Sequence, residues 1–163
     1  MSIIGITGRA GSGKDTVADH LVRVYGFVRY RFADPIKQML AVLGVTPEHW
    51  RPEIKEWPMA PFSCSPRRMA QTLGTAWGRE LVHPDIWLLM AERAVHTVSG
   101  SVVIPDVRFE NEAAWIRAQG GQVWHITRPD AVVVEAHVSE AGVGLRDGDC
   151  LLVNVSSIEV LLN

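Results

Sequence analysis

The sequence predicts an α/β fold, a mostly parallel sheet of about five strands with helices packed over it. Three observations carry that expectation. Short apolar runs alternate along the chain with stretches of helical periodicity. The first of these runs, Ser2 to Thr7 (SIIGIT), is nearly continuous, as buried parallel strands are. A glycine-rich turn follows it directly and opens a helical pattern.

Each element can be justified in turn. From Asp15 to Tyr25 the residues Val17, Ala18, Leu21, Val22 and Tyr25 fall on one helical face. Phe27 to Phe32 alternates apolar and basic residues, a second strand. Asp34 to Leu43 reads as a helix with Pro35 at its first position, where a missing N–H costs nothing. Residues 44–66 are the least regular part, with Gly44 and five prolines, and form a connection rather than a linker between domains. Ser65 then caps a helix that Pro66 begins. A further helix follows His83-Pro84 and carries Ile86, Leu89, Met90 and Ala94. Val102 to Ile104 is a third strand, and Phe109 to Gln119 a helix stopped by Gly120-Gly121. Val123 to Thr127 and Leu151 to Val155 are the fourth and fifth strands, with a short capped helix from Ser156.

At 163 residues the chain is long enough to bury a core without disulfide or metal staples. Cys64 and Cys150 fit no metal or disulfide spacing and suit a reducing compartment. The start, MSIIGITG, lacks a basic region followed by a long apolar stretch, and no apolar run is long enough to span a bilayer. The expected location is the cytoplasm, that of a host bacterium if the chain is phage-encoded. With 16 basic against 18 acidic residues the net charge is −2, which argues against a nucleic-acid or membrane-surface binder. The basic residues are 13 Arg and only 3 Lys. Arginine suits planar, bidentate recognition of phosphate, although a GC-rich genome also favours it.

The most specific local signal is Gly8-Arg9-Ala10-Gly11-Ser12-Gly13-Lys14-Asp15-Thr16. Strand, glycine-rich loop, lysine and helix stand in the register of a phosphate-binding P-loop. Gly8, Gly11 and Gly13 let the backbone, with that of Ser12, curl its N–H groups around an anion; the helix N-terminus and Lys14 add positive potential. Asp15 stands where a metal-binding hydroxyl is usual, and Thr16 supplies the hydroxyl one place later. Two readings of Asp15 stand: it helps hold Mg²⁺, directly or through water, or it is a first-turn acid favoured by the helix dipole.

The third strand ends in Pro105-Asp106 with Arg108 close behind. Asp106 is placed either to organise Mg²⁺ or to cap the next helix, and Arg108 either to neutralise a transferred phosphoryl or to pair with nearby acids. No Asn-Lys-x-Asp element occurs, so the guanine-reading device of GTPase switches is absent. On the helix from Pro66, a spacing of 100° per residue gathers Arg68, Gln71, Thr72, Thr75 and Arg79 on one face, with Arg67 at its edge. Met69, Ala70, Leu73, Ala76, Trp77 and Leu81 gather on the other. A polar face of guanidinium, amide and hydroxyl groups fits a second phosphate and a base edge, with an ordinary solvated face as the alternative. His125, alternating with Trp124 and Ile126, reads as a core histidine.

Seven segments stand in order along the chain: GSGKDTVAD (11–19), FADPIK (32–37), RRMAQTLGT (67–75), PDIW (84–87), VIPDVRFENEA (103–113), GGQVWHITRP (120–129) and HVSEAGVGLRDGD (137–149). With the closing LLVNVSSIEVLL, they resemble the deoxynucleoside-monophosphate kinases of tailed bacteriophages, within the wider nucleoside-monophosphate kinase group. The resemblance runs from end to end, though the connection at 44–66 is short for the family.

It implies a P-loop kinase three-layer sandwich in one domain over residues 1–163, with a helical acceptor-binding insert at about 34–97 and a short lid at about 128–149. It also implies ATP as phosphate donor on Gly8 to Thr16, Mg²⁺ near Asp15 and Asp106, and Lys14, Arg108 and Arg128 around the transferred group. Asp34, Lys37, Arg67, Arg68, Gln71, Thr75 and Trp87 would form the monophosphate site, with Gln71 and Trp87 at the sugar or base. His137, Glu140 and Arg146 would belong to the lid. The implied partners are small nucleotides, with neither nucleic acid nor membrane, and a homodimer is left open. The competing functions are a P-loop kinase of another small molecule, such as dephospho-coenzyme A, and a non-catalytic ATP-binding module.

Overall fold

A computed structural model describes residues 2–129 and 142–155. The chain divides into two compact units, one built from residues 1–31 and 91–163 and the other from residues 32–90.

The first unit is a five-stranded sheet, every pairing of which is parallel. In chain order the strands are β1 (Ile3–Thr7), β2 (Val28–Arg29), β3 (Val102–Ile104), β4 (Gln122–Thr127) and β5 (Cys150–Val153), and in space they run β2-β3-β1-β4-β5. Helix α1 (Lys14–Tyr25) connects β1 to β2, and α5 (Glu110–Ala118) connects β3 to β4. Strand β1 is buried along its whole length because helices cover both of its faces. Ile4 and Ile6 pack with Val17, Ala18 and Leu21 of α1 and with Val103 and Ile126. Gly5 points the other way, where a Cβ would lie 2.4 Å from Ile116 of α5, so the missing side chain lets that helix approach. Val22 and Tyr25, expected on the buried face of α1, are exposed. β2 is shorter than the predicted strand, and the two arginines of that segment face acids of α1: Arg29 pairs with Asp19 and Arg31 with Asp15.

The second unit contains α2 (Asp34–Ala41), a 3-10 turn (Pro47–Trp50), α3 (Pro66–Gln71) and the first part of α4 (Ile86–His96). The Ser65 hydroxyl accepts from the Arg68 N–H with Pro66 at the first position, as the sequence predicts. After Gln71 the helix changes character. Thr72–Val82 winds more widely, with five-residue hydrogen bonds such as His83 N–H to the Gly78 carbonyl at 2.9 Å. The indole N–H of Trp87 donates to the Gly74 carbonyl at 2.7 Å, a side chain inserted into the helical ladder. Its ring lies where a Cβ on Gly78 would be 2.6 Å away.

The wider winding displaces the face projected at α-helical spacing. Leu81, expected on the buried side, is 79% exposed, and the line from Arg68 through Gln71 does not continue in register to Thr75 and Arg79. The buried face of α4 is likewise Trp87, Ala91 and Val95, while Leu89 and Met90 are exposed. The closing helix predicted from Ser156 lies outside the described residues. Among those residues no helix is long and apolar enough to cross a membrane.

Candidate active site

Because the strands are parallel, the loops after β1, β3 and β4 and the residue after β5 all leave the same edge of the sheet. Open α/β sheets bind ligands at that edge, where neighbouring connections diverge. Here the chain leaves β1 toward β2 on one side and β4 toward β5 on the other. The loop from Gly8 to Gly13 occupies that position.

Its geometry is that of an anion cradle. Gly8 has φ 143° and presses against β4, so that a Cβ there would lie 2.2 Å from the Ile126 carbonyl oxygen. Gly13, at φ 105°, caps α1 without any side-chain hydrogen bond, leaving the helix's first N–H groups available. Ser12 is fully buried, and its hydroxyl has no hydrogen-bond partner among the described residues. Such an orphaned polar atom inside a ring of backbone donors fits a bound anion. The Lys14 ammonium folds over the loop and donates to the carbonyls of Gly8 and Arg9 at 2.7 and 2.6 Å. Thr16 is exposed one turn into α1.

Asp15 is exposed and accepts from Arg31 at 2.7 Å. Asp106 follows β3 and does not cap α5, whose N-cap is Phe109. The start of that helix is held instead by Glu112, a buried carboxylate that accepts the N–H groups of Arg108 (2.8 Å) and Phe109 (3.1 Å). Arg108 is thus fixed by its backbone while its side chain reaches an exposed position. Arg128 follows β4, exposed and without a side-chain partner among the described residues. Among those residues no group of three or more His, Cys, Asp or Glu forms a metal cage. Mg²⁺ needs no such cage, since it takes one or two carboxylates and completes its shell with phosphates and waters.

A second cluster in the same unit gathers at the amino end of β5. Asp149, just before β5, accepts from Arg117 of α5 at 3.0 and 2.7 Å, from the Arg146 N–H at 2.9 Å and from His125 of β4 at 2.9 Å. The Arg117 hydrogen bonds above all hold its carboxyl down to about 2, against the opposing effect of burial. Arg117 is pushed above its ordinary range by the same contact. The Asp149 partner of Arg117 is 32 residues away and invisible to local sequence pattern. His125 is the satisfied core histidine expected of it. Arg146 reaches Glu110 at 3.3 Å, while His137 and Glu140 lie outside the described residues.

In the second unit, Asp34 opens α2 and Lys37 lies one turn later, its ammonium 5.4 Å from the centre of the Trp50 ring. Arg67 pairs with Glu56 at 3.3 Å. Arg68 is exposed and has no side-chain partner among the described residues. Gln71 ends α3, and Thr75 falls in the wide helix, half-buried. Trp87 is 2% exposed, and its indole N–H donates to the Gly74 carbonyl, so it packs the interior of this unit. Asn154 was not singled out from sequence: its carboxamide donates to the Ser12 carbonyl at 2.9 Å.

A parallel sheet with a glycine-rich anion cradle at the carboxyl end of its central strand defines a P-loop protein of the α/β class. The chain matches the deoxynucleotide monophosphate kinase family over residues 2–49 and 53–163, and it belongs to that family. It is 35% identical to a putative deoxynucleotide monophosphate kinase of Acanthamoeba polyphaga mimivirus, over 98% of this chain and 91% of that relative. It is 30% identical to the deoxynucleoside-5'-monophosphate kinase of Escherichia phage T5, over 71% of each chain. Its fold is similar to the crystal structure of TT1252 from Thermus thermophilus, with TM-score 0.52 and 20% identity, over 98% of this chain and 92% of that one. The chain is therefore an enzyme, a nucleotide kinase of the phage type.

Proposed function

We propose that this enzyme transfers the γ-phosphoryl group of ATP to the phosphate of a deoxynucleoside monophosphate, releasing ADP and the deoxynucleoside diphosphate. The observation that carries this reading is the cradle itself: a buried, orphaned Ser12 hydroxyl within a glycine loop, under a lysine, at the start of a helix. An acceptor phosphate oxygen attacks the γ-phosphorus while the bond to the β,γ-bridging oxygen breaks. The nucleophile is already anionic, so no strong general base is required; positioning and charge neutralisation do the work.

In this reading the backbone of Gly8, Gly11, Ser12 and Gly13, with Thr16, holds the donor phosphates. The Lys14 ammonium exchanges its two carbonyl partners for phosphate oxygens, and Arg108 and Arg128 neutralise the group in transfer. Asp34, Lys37, Arg67, Arg68, Gln71 and Thr75 bind the monophosphate, with Arg68 and Lys37 on its phosphate. Trp87 acts only by holding Gly74 and Gly78 in place. Arg146 contributes from the lid. Asp15 and Asp106 are the carboxylates that would hold Mg²⁺, whose contribution is to screen the donor's negative charge. The partners are nucleotides rather than nucleic acid, and the setting is the host cytoplasm.

A coupled ADP-release assay across a panel of monophosphates, with both sugars and with and without Mg²⁺, tests this. Turnover of at least one deoxynucleoside monophosphate, faster than its ribose counterpart and dependent on Mg²⁺, is the expected result. No turnover with any of them, or turnover only of another acceptor such as dephospho-coenzyme A, would overturn it.

A further inference from the structure

We propose that Asn154 is a positioning residue for the donor-phosphate loop: its carboxamide fixes the Ser12–Gly13 peptide so that the Gly13 N–H stays turned toward the bound phosphates. This rests on the reading of Gly8 to Thr16 as the donor site.

Asn154 stands one residue beyond β5, and its backbone N–H donates to the Thr127 carbonyl at 2.7 Å, extending the ladder to β4. The side chain is thereby carried on the rigid sheet. Its Nδ2 donates to the Ser12 carbonyl at 2.9 Å, across 142 residues of sequence. The only cis peptide among the described residues is Ala60–Pro61, so the Ser12–Gly13 bond is trans. In a planar trans peptide the C=O of one residue and the N–H of the next point in opposite directions. Holding the Ser12 oxygen on the Asn154 side therefore turns the Gly13 N–H away from it.

That peptide needs holding. Gly13 has φ 105° and, lacking a Cβ, can populate either sign of φ at little cost, so rotation of the plane is not opposed sterically. The preceding side of Ser12 is fixed by its N–H to the Arg9 carbonyl at 3.2 Å, but the Ser12 hydroxyl has no partner among the described residues that would fix the following side. Gly13 also makes room for the clamp, since a Cβ there would lie 2.8 Å from Nδ2. An amide suits this place where a carboxylate would not. Aspartate cannot donate to the Ser12 oxygen and would set a negative charge beside both that oxygen and the donor phosphates.

The test uses the full chain with Asn154→Ala and the nearly isosteric Asn154→Asp. ATP affinity is read by equilibrium displacement of a fluorescent ATP analogue, and KM is measured for the donor and for the monophosphate separately. Asn154→Ala should weaken ATP binding and raise the donor KM by about three- to tenfold, the worth of one hydrogen bond. Asn154→Asp should lose more than Asn154→Ala, and the monophosphate KM should stay within about twofold in both. ATP affinity unchanged in both variants, or the two KM values rising together, would overturn the proposal. Should Asn154→Ala not fold, Asn154→Asp decides by the same split. The ATP titration also separates this proposal from the functional one, because it reads the clamp even if no monophosphate is turned over.

Discussion

The two units hold their functional charges in different ways. In the sheet unit the groups of the glycine loop and of the α5 entry are tied to backbone or to buried partners: Lys14 to two carbonyls, the Ser12 carbonyl to Asn154, Arg108 to Glu112 through its N–H, while Asp15 and Arg128 stay exposed. In the unit of residues 32–90 Arg79 donates to the Pro84 carbonyl at 3.3 Å, but the other cations considered for the site are held more loosely. Arg67 lies 3.3 Å from a half-exposed Glu56, Lys37 sits over Trp50, and Arg68 is exposed. Exposed pairs of that kind are worth at most about 1 kcal/mol, so a substrate phosphate displaces them at small cost. The difference teaches that the glycine-rich loop is organised before any ligand arrives, whereas Arg67, Lys37 and Arg68 stay exchangeable, as the proposed donor and acceptor roles require.

The largest effect that would sharpen this contrast is a division of kinetic labour. Arg108→Ala should lower kcat by about 10³-fold, within the range for an arginine that neutralises a phosphoryl in transfer. Arg68→Ala should instead raise the monophosphate KM by about ten- to a hundredfold, the worth of a charge-assisted hydrogen bond, and leave kcat within a fewfold. Steady-state kinetics with each substrate varied in turn reads both. If the two substitutions gave the same pattern, the assignment of separate roles to the two units would be broken.

Next in size is the tryptophan that shapes the second unit. Trp87→Ala should cost about 3–5 kcal/mol, the usual toll for a buried aromatic. Trp87→Phe keeps most of the ring but strands the Gly74 carbonyl, and should cost about 1–3 kcal/mol. Urea unfolding measures both. A Trp87→Phe enzyme of unchanged stability but altered base preference would mean that the indole contacts substrate after all.

These outcomes bear on what the sequence made legible. Strand–loop–helix at residues 3–25 was readable because the signal is local: a continuous apolar run, glycines where the backbone curls, and periodic burial of Val17, Ala18 and Leu21. The Ser65 cap and Pro66 start were readable for the same reason. The wide helix at Thr72–Val82 was not, and the indole N–H that bonds to its Gly74 carbonyl arrives from residue 87, beyond any local pattern. A 100° projection assumes an undisturbed ladder, so it misplaced Leu81 and the register of Thr75 and Arg79. Arg117 and Asn154 escaped because their partners lie 32 and 142 residues away. An asparagine ending the apolar run Leu151–Val153 was the one trace of the latter.

The smallest of these effects tests whether ionic contacts also hold the sheet unit together. Asp149 is 2% exposed, and its carboxyl is held near 2 rather than its ordinary 3.8, first by Arg117. A carboxyl depressed by folding stabilises the native state above its unfolded value. That contribution is lost as pH falls from about 4 through about 2. The shift corresponds to about 2 kcal/mol at neutral pH. Asp149→Asn should therefore be less stable than the parent by about that amount at pH 7, and the difference should shrink toward zero below pH 3. Taking the difference between the two proteins cancels the other carboxylates, which titrate in both. Urea titrations at pH 7, 4, 3 and 2 measure it. A gap that persists unchanged at the lowest pH would mean that Asp149 acts through shape and neutral hydrogen bonds, leaving the sheet unit's stability to its apolar layers.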